Sequence, residues 1–165
     1  MKRTILSLIA LTAIVSAAPL FAAQQTANLN VTASVSAVCQ ITTTAVAFGA
    51  YDPVVVNAAT DLTAAGSVNV ACTKGTPATI DLGTGANFSA GSRRMSSGTD
   101  FLGYALYKDA ARTQVWGTGL TGGSTAAYTS ASKASASVPV YGTVPQAQDV
   151  TVGSYSDTVV ATINY

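Results

Sequence analysis

The sequence predicts an all-β protein built as an immunoglobulin-like sandwich, and three observations carry that prediction. Short runs of alternating apolar and polar residues recur along the chain with turn residues between them. The composition is rich in Thr, Val, Ser, Ala and Gly and poor in straight-chain helix formers, which favours strands. Two cysteines, Cys39 and Cys72, stand where one bridge can staple early strands together.

The first residues, MKRTILSLIALTAIVSAAPLFAA, carry Lys2 and Arg3, an apolar run from Ile5 to Val15 and then small residues. That layout is a secretory leader over residues 1–23, and its apolar run is too short to span a bilayer. Export sets the redox compartment, so Cys39 and Cys72 are expected to pair. Such a bridge would stabilise the domain by ~3 to 4 kcal/mol on the chain-entropy account. An intermolecular bridge and two free thiols are the alternatives.

Behind the leader comes TANLNVTASVSAVC, residues 26–39, which alternates with little error. Leu29, Val31, Ala33 and Val35 share one parity, with Asn28, Asn30, Thr32 and Ser34 on the other, the signature of a strand with one apolar face. VAFGAYDP (46–53) reads as a short strand closed by an Asp-Pro turn, SVNVACT (67–73) as a strand, and ATIDLGTGAN (78–87) as a strand running into a Gly-rich loop. FLGYALYKD (101–109) is apolar on both faces, which suits a central strand. Residues 118–136 are polar and look the least ordered. SVPVYGTVP (137–145) resumes the pattern, its prolines suggesting an edge or a bulge. In GSYSDTVVATINY (153–165), Val159, Ala161, Ile163 and Tyr165 alternate against Thr158, Thr162 and Asn164, and no residues follow to pair beside them. About seven short strands at this spacing point to the sandwich.

Composition also excludes. Charged residues are 9% of the chain and the net charge is +1, so there is no electrostatic footprint for nucleic acid or an anionic membrane. With no His and no Glu, a Ser or Thr nucleophile would need Lys or Asp as its base, and the aspartates sit mostly in turn contexts. No acids or cysteines have metal-ligand spacing, and the GTG groups at 83–85 and 117–119 lack the lysine of a phosphate loop. The expectation is therefore no enzyme, no cofactor and no metal. Arg93-Arg94 and YKDAART (107–113) read as solvated turns, the sharper alternative being a surface for a neighbouring subunit. Trp116 and Tyr104, Tyr107, Tyr128, Tyr141 and Tyr155 read as packing or rim aromatics rather than a sugar site. The sequons at Asn30 and Asn87 are common by chance.

CQI followed by VAFGAYDP, then GSVNVACTKGTP, GAN, RRM, FLGYALYKDAARTQVWG, VPVYGTVP and GSYSDTVVATINY together resemble the spore coat protein U family, which includes secreted pilins of the archaic chaperone-usher pathway. The resemblance covers nearly the whole chain after the leader, with residues 118–136 as the departure. It implies an incomplete immunoglobulin-like sandwich lacking its last strand, with a hydrophobic groove in its place. A periplasmic chaperone would fill that groove first, and at an outer-membrane usher the N-terminal extension of the next subunit would replace it. This is strand addition, in which main-chain hydrogen bonds supply affinity and side-chain pockets supply register.

On that scheme residues 24–35 are the donor extension, with Leu29, Val31, Ala33 and Val35 as the inserted residues, and 36–165 the pilin domain. Val159, Ala161, Ile163 and Tyr165 form the terminal strand beside the groove. The implied product is a surface fibre for adhesion or biofilm, made from identical or related pilin subunits, with no membrane segment after leader removal. A spore or cyst coat protein is an alternative use of the same domain. A small outer-membrane β-barrel is another, weakened because several runs fall short of the roughly 9 to 11 residues a spanning strand needs. A tip adhesin would add a receptor domain in place of the donor segment.

Overall fold

The structure, a computed structural model, describes residues 21–165. The leader expected over residues 1–23 lies almost wholly outside them. Among the described residues no helix is long and apolar enough to cross a membrane. Val35–Tyr165 forms one compact unit.

That unit has eight strands: β1 (Cys39–Thr44), β2 (Leu62–Cys72), β3 (Pro77–Leu82), β4 (Arg93–Ser96), β5 (Phe101–Tyr107), β6 (Ala126–Thr129), β7 (Ala136–Val144) and β8 (Ala161–Asn164). They form two antiparallel sheets, one in the order β1-β2-β7-β5-β4 and the other β6-β3-β8. The apolar rows of the two sheets face each other. Val68 and Val70 of β2, Val140 and Val144 of β7 and Leu102 and Leu106 of β5 meet Ile80 and Leu82 of β3, with Trp116 closed among them. The alternation along β3 and β5 follows from the pleat, which sends successive side chains to opposite faces. In β5 only the Leu102, Tyr104 and Leu106 face is buried, although both faces are apolar.

Several sequence expectations change here. Among the described residues, 26–38 belong to no strand, and the domain's own first strand starts at Cys39. Residues 46–49 alternate in burial, with Val46 and Phe48 turned inward, yet they too have no strand partner among the described residues. The stretch 118–136 is not structureless, since it holds a 3-10 turn at Gly119–Thr121 and all of β6. β7 is an internal strand rather than an edge, but at Pro139 it pairs only with β2, because β5 joins it only from Tyr141 onward. A proline is tolerated where one side of a strand has no neighbour.

Cys39 and Cys72 are disulfide-bonded as direct cross-strand partners of β1 and β2, their Cα atoms 4.1 Å apart. The neighbouring Thr73 amide donates to the Val38 carbonyl, which leaves the cysteines as the closer, non-hydrogen-bonded pair of an antiparallel ladder.

Candidate functional site

A sandwich of two sheets has two seams, and in this one they differ. On one side β4 runs beside the segment leading into β8: Ser96 and Ser156 exchange both backbone hydrogen bonds, at 2.8 and 3.0 Å. Behind that bridge lies Arg93, only 3% exposed. Its guanidinium donates to the Gly83 carbonyl (2.9 Å from Nε, 2.6 Å from Nη2), to Leu82 (2.6 Å) and to Trp116 (2.9 Å). Burial pulls its pKa below the usual guanidinium value, opposed by the nearby Tyr104, Asp81 and Asp157. Arg93 is thus not a solvated turn residue. Its partner in sequence, Arg94, stacks on Phe101 at 4.0 Å and donates to the Asn87 carbonyl. In the YKDAART turn the Asp109 carboxylate accepts from the Gln114 and Thr113 amides, which holds its pKa below the usual range, while Lys108 donates to Ser124 and Arg112 to the Gly142 carbonyl.

The other edge of the segment leading into β8, facing residues 43–51, is open. A groove of about 990 Å3 runs between residues 43–51 on one rim and 150–161 on the other. Its floor is apolar, with Val68, Leu82, Met95, Leu102, Leu106 and Val140. The first rim is held down by Val46 and Phe48, which lie on β7 where Gly142 leaves room; a Cβ there would come within 2.6 Å of the Phe48 ring. Phe48 also meets Tyr104 edge to face, at 6.2 Å.

Neither rim is satisfied along its backbone. Among the described residues, no N–H or C=O of residues 45–50 makes a hydrogen bond. On the second rim Ser156, Thr158 and Val160 use their backbone groups inward, toward Ser96, Ala86 and Gly83. Strand geometry turns the intervening groups of Tyr155, Asp157 and Val159 the other way, into the opening, where they have no partner among the described residues. Buried or enclosed backbone groups are nearly always paired, so two facing unpaired edges mark a place for a further strand.

Side chains on the second rim alternate strictly: Tyr155, Asp157, Val159, Ala161 and Ile163 turn inward and the residues between them are exposed. Val159 and Ala161 line the groove, Ile163 packs on the core below it, and Tyr165 is exposed. Asp157 went unremarked in the sequence because it looks like a turn residue. Its carboxylate accepts the Tyr104 hydroxyl (2.6 Å) and both the amide and side-chain nitrogens of Asn87 (3.1 Å each). Burial, then this bond, raises the Tyr104 pKa well above the ordinary phenol range. Gly85, with φ +89°, lies so close that a Cβ would collide with the Asp157 carboxylate.

The expected donor residues Leu29, Val31 and Val35 are exposed, at 87, 85 and 83%. From Leu29 to Val35 an extended chain covers roughly 20 Å at ~3.3 Å per residue, the same reach as the open rims 45–51 and 155–161.

A family model described as Spore Coat Protein U domain matches residues 25–162. "Protein U" of Myxococcus xanthus is 42% identical over 178 aligned residues, covering 99% of this chain and 98% of that protein. Among solved structures, the fold is similar to the CsuC-CsuE chaperone-tip adhesion subunit pre-assembly complex of the archaic chaperone-usher Csu pili of Acinetobacter baumannii. The TM-score is 0.55 at 20% identity, over 79% of this chain and 40% of the matched chain. At that identity the likeness is one of fold.

Proposed function

The chain belongs to the Spore Coat Protein U domain family, and from that premise and the open seam we propose that it is a structural subunit assembled by strand donation between copies. The observation that carries the reading is the pair of unpaired backbone edges flanking an apolar groove, in a chain that also holds an unpartnered alternating segment of matching length. Residues 24–35 are the donated extension and 36–165 the accepting domain. Leu29, Val31, Ala33 and Val35 enter the groove of the next copy, and Val159 and Ala161 form one wall that receives them. A strand of a periplasmic chaperone occupies the same groove before assembly, and an outer-membrane usher is where the exchange takes place. The product is a fibre at the cell surface serving adhesion or biofilm growth. No catalytic role is proposed.

A second reading has the same domain polymerise into a spore or cyst coat; the family description and the likeness to Protein U favour it. Mechanical shearing separates the two, since it releases surface fibres and leaves a coat in place. The donor reading is tested by Leu29→Asp and Val31→Asp, which put an unpaired charge into an apolar groove. Polymer is expected to disappear while the domain stays folded, whereas Asn30→Asp and Thr32→Asp on the other parity keep it. Equal loss from both parities would mean that this segment is not inserted as a strand.

A further inference from the structure

The turn after the first rim displays three consecutive valines to solvent. Val54, Val55 and Val56 are 81, 73 and 62% exposed, and the turn that carries them is rigidly built. The Asp52 carboxylate accepts the Val54 and Val55 amides at 3.0 Å. Asn57, 2% exposed, accepts the Asp52 amide through its side-chain oxygen (2.9 Å), donates to the Thr60 carbonyl (2.8 Å), and its own carbonyl accepts the Ala147 amide (2.7 Å). A buried amide network that fixes an exposed apolar triad organises a contact surface rather than a core.

A second fixed feature stands at the opposite pole of the sandwich, beside Cys39–Cys72. The Thr73 hydroxyl accepts the Val38 amide and donates to the Ser36 carbonyl, both at 3.1 Å, while the Thr73 amide donates to the Val38 carbonyl at 2.9 Å. The chain is therefore pinned from Ser36 onward. No free linker separates the last donor residue, Val35, from the domain that follows it.

The two rims of the groove run antiparallel, so a guest strand has two possible directions. Residues 45–51 lead toward the valine pole, where the Tyr51 hydroxyl donates to the Pro145 carbonyl and accepts the Gln148 amide. The other pole is where the host's own tail leaves, at Ser36–Val38. A guest emerging at that pole would set its domain against the departing tail. The guest's C-terminal end therefore emerges at the valine pole, and with no slack after Val35 its domain must abut that pole.

We propose that the Val54–Val56 turn is a second contact between successive copies of this chain, receiving the pole of the donating copy around Val38 and Thr73. This rests on the strand-donation reading and adds to it a lateral seat that fixes the angle between neighbours. Val38, itself 57% exposed, is the apolar counterpart.

The test is photocrosslinking in fibres sheared from producing cells, with p-benzoylphenylalanine placed at residue 55 and, as a control, at Leu120, which is 71% exposed beside the closed seam. Residue 55 is expected to give a ladder of covalent oligomers in which it is joined to residues 36–38 or 73–75 of another copy, with only background product from residue 120. The triple variant Val54→Ser, Val55→Ser, Val56→Ser should still form fibres, because the groove is untouched, but with a several-fold shorter persistence length by electron microscopy. Fibres that carry the label and give no more product from residue 55 than from residue 120 overturn the second contact alone. If the unmodified chain forms no fibres, or if they survive Leu29→Asp, strand donation and the contact built on it fall together.

Discussion

The two seams of this sandwich are made from similar lengths of chain, yet one is stitched and the other is not. At the closed seam β4 bridges to Ser156, and Arg93 of β4 gathers the Leu82, Gly83 and Trp116 carbonyls into one buried cluster. At the open seam, residues 45–50 and the Tyr155–Val159 edge stand apart over an apolar floor with their backbone groups unpaired. Hydrogen bonds close one side, and on the proposed reading the other side is left for a donated strand.

The largest change is expected from closing the open seam within one molecule. Tyr165 lies toward the disulfide pole, so a short flexible linker after it can turn a copied segment 25–36 upward beside β8 and into the groove. Burial of Leu29, Val31 and Val35 is worth ~1.5 to 3 kcal/mol each. After the cost of ordering the segment, the net gain over a domain merely truncated before residue 36 is expected to be on the order of 5 kcal/mol. With its original N-terminal segment deleted, the relocated form should be a monomer by size exclusion, melt far higher and neither donate nor accept. Equal melting of the relocated and truncated forms would show that the groove needs no strand. Because the linker is short, success would also fix the direction in which the guest runs.

Next comes the closed seam. Arg93→Met keeps much of the apolar stem but strands the Leu82, Gly83 and Trp116 carbonyls in a dry site, and is expected to cost ~3 to 5 kcal/mol in denaturant unfolding. Cys39→Ser follows at ~3 to 4 kcal/mol, through the entropy returned to the unfolded chain. The denatured native protein should show no titratable thiol; two would mean that the bridge does not form.

The sequence made some of this legible and hid the rest for identifiable reasons. β3 and the core of β2 are read directly from alternation, because each pairs within the chain and buries one face, whereas β5 is read from an apolar run that does not show which face is buried. The cysteines are legible because two thiols allow a single intramolecular pair. Residues 46–53 have a strand's period but no ladder among the described residues, and sequence period cannot report whether a partner exists. β6 is hidden since AAYT carries little apolar signal of its own and is fixed by pairing with β3. Arg93 and Asp157 are hidden for a related reason. A charged residue reads as exposed unless its partners are visible, and theirs are backbone carbonyls and a tyrosine more than fifty positions away.

The smallest expected effect lies where the two seams meet. Tyr104 stands on the groove floor, and its hydroxyl donates to Asp157 on the groove rim. Tyr104→Phe removes one hydrogen bond and leaves a carboxylate oxygen short of a partner, so a loss of ~1 to 2 kcal/mol is expected at neutral pH. The pH dependence identifies the cause. The fold raises the Tyr104 pKa above its ordinary value of 10.0, so folding favours the neutral phenol. That contribution is fully present below pH 10 and is lost progressively as pH rises from there toward the folded value, because the unfolded chain ionises first. Native protein should therefore weaken more steeply than Tyr104→Phe in urea unfolding between neutral pH and about pH 11, and the two curves should converge. Curves that stay parallel would mean that the hydroxyl is solvated rather than held against Asp157, and that the polar end of the groove is looser than its hydrogen bonds indicate.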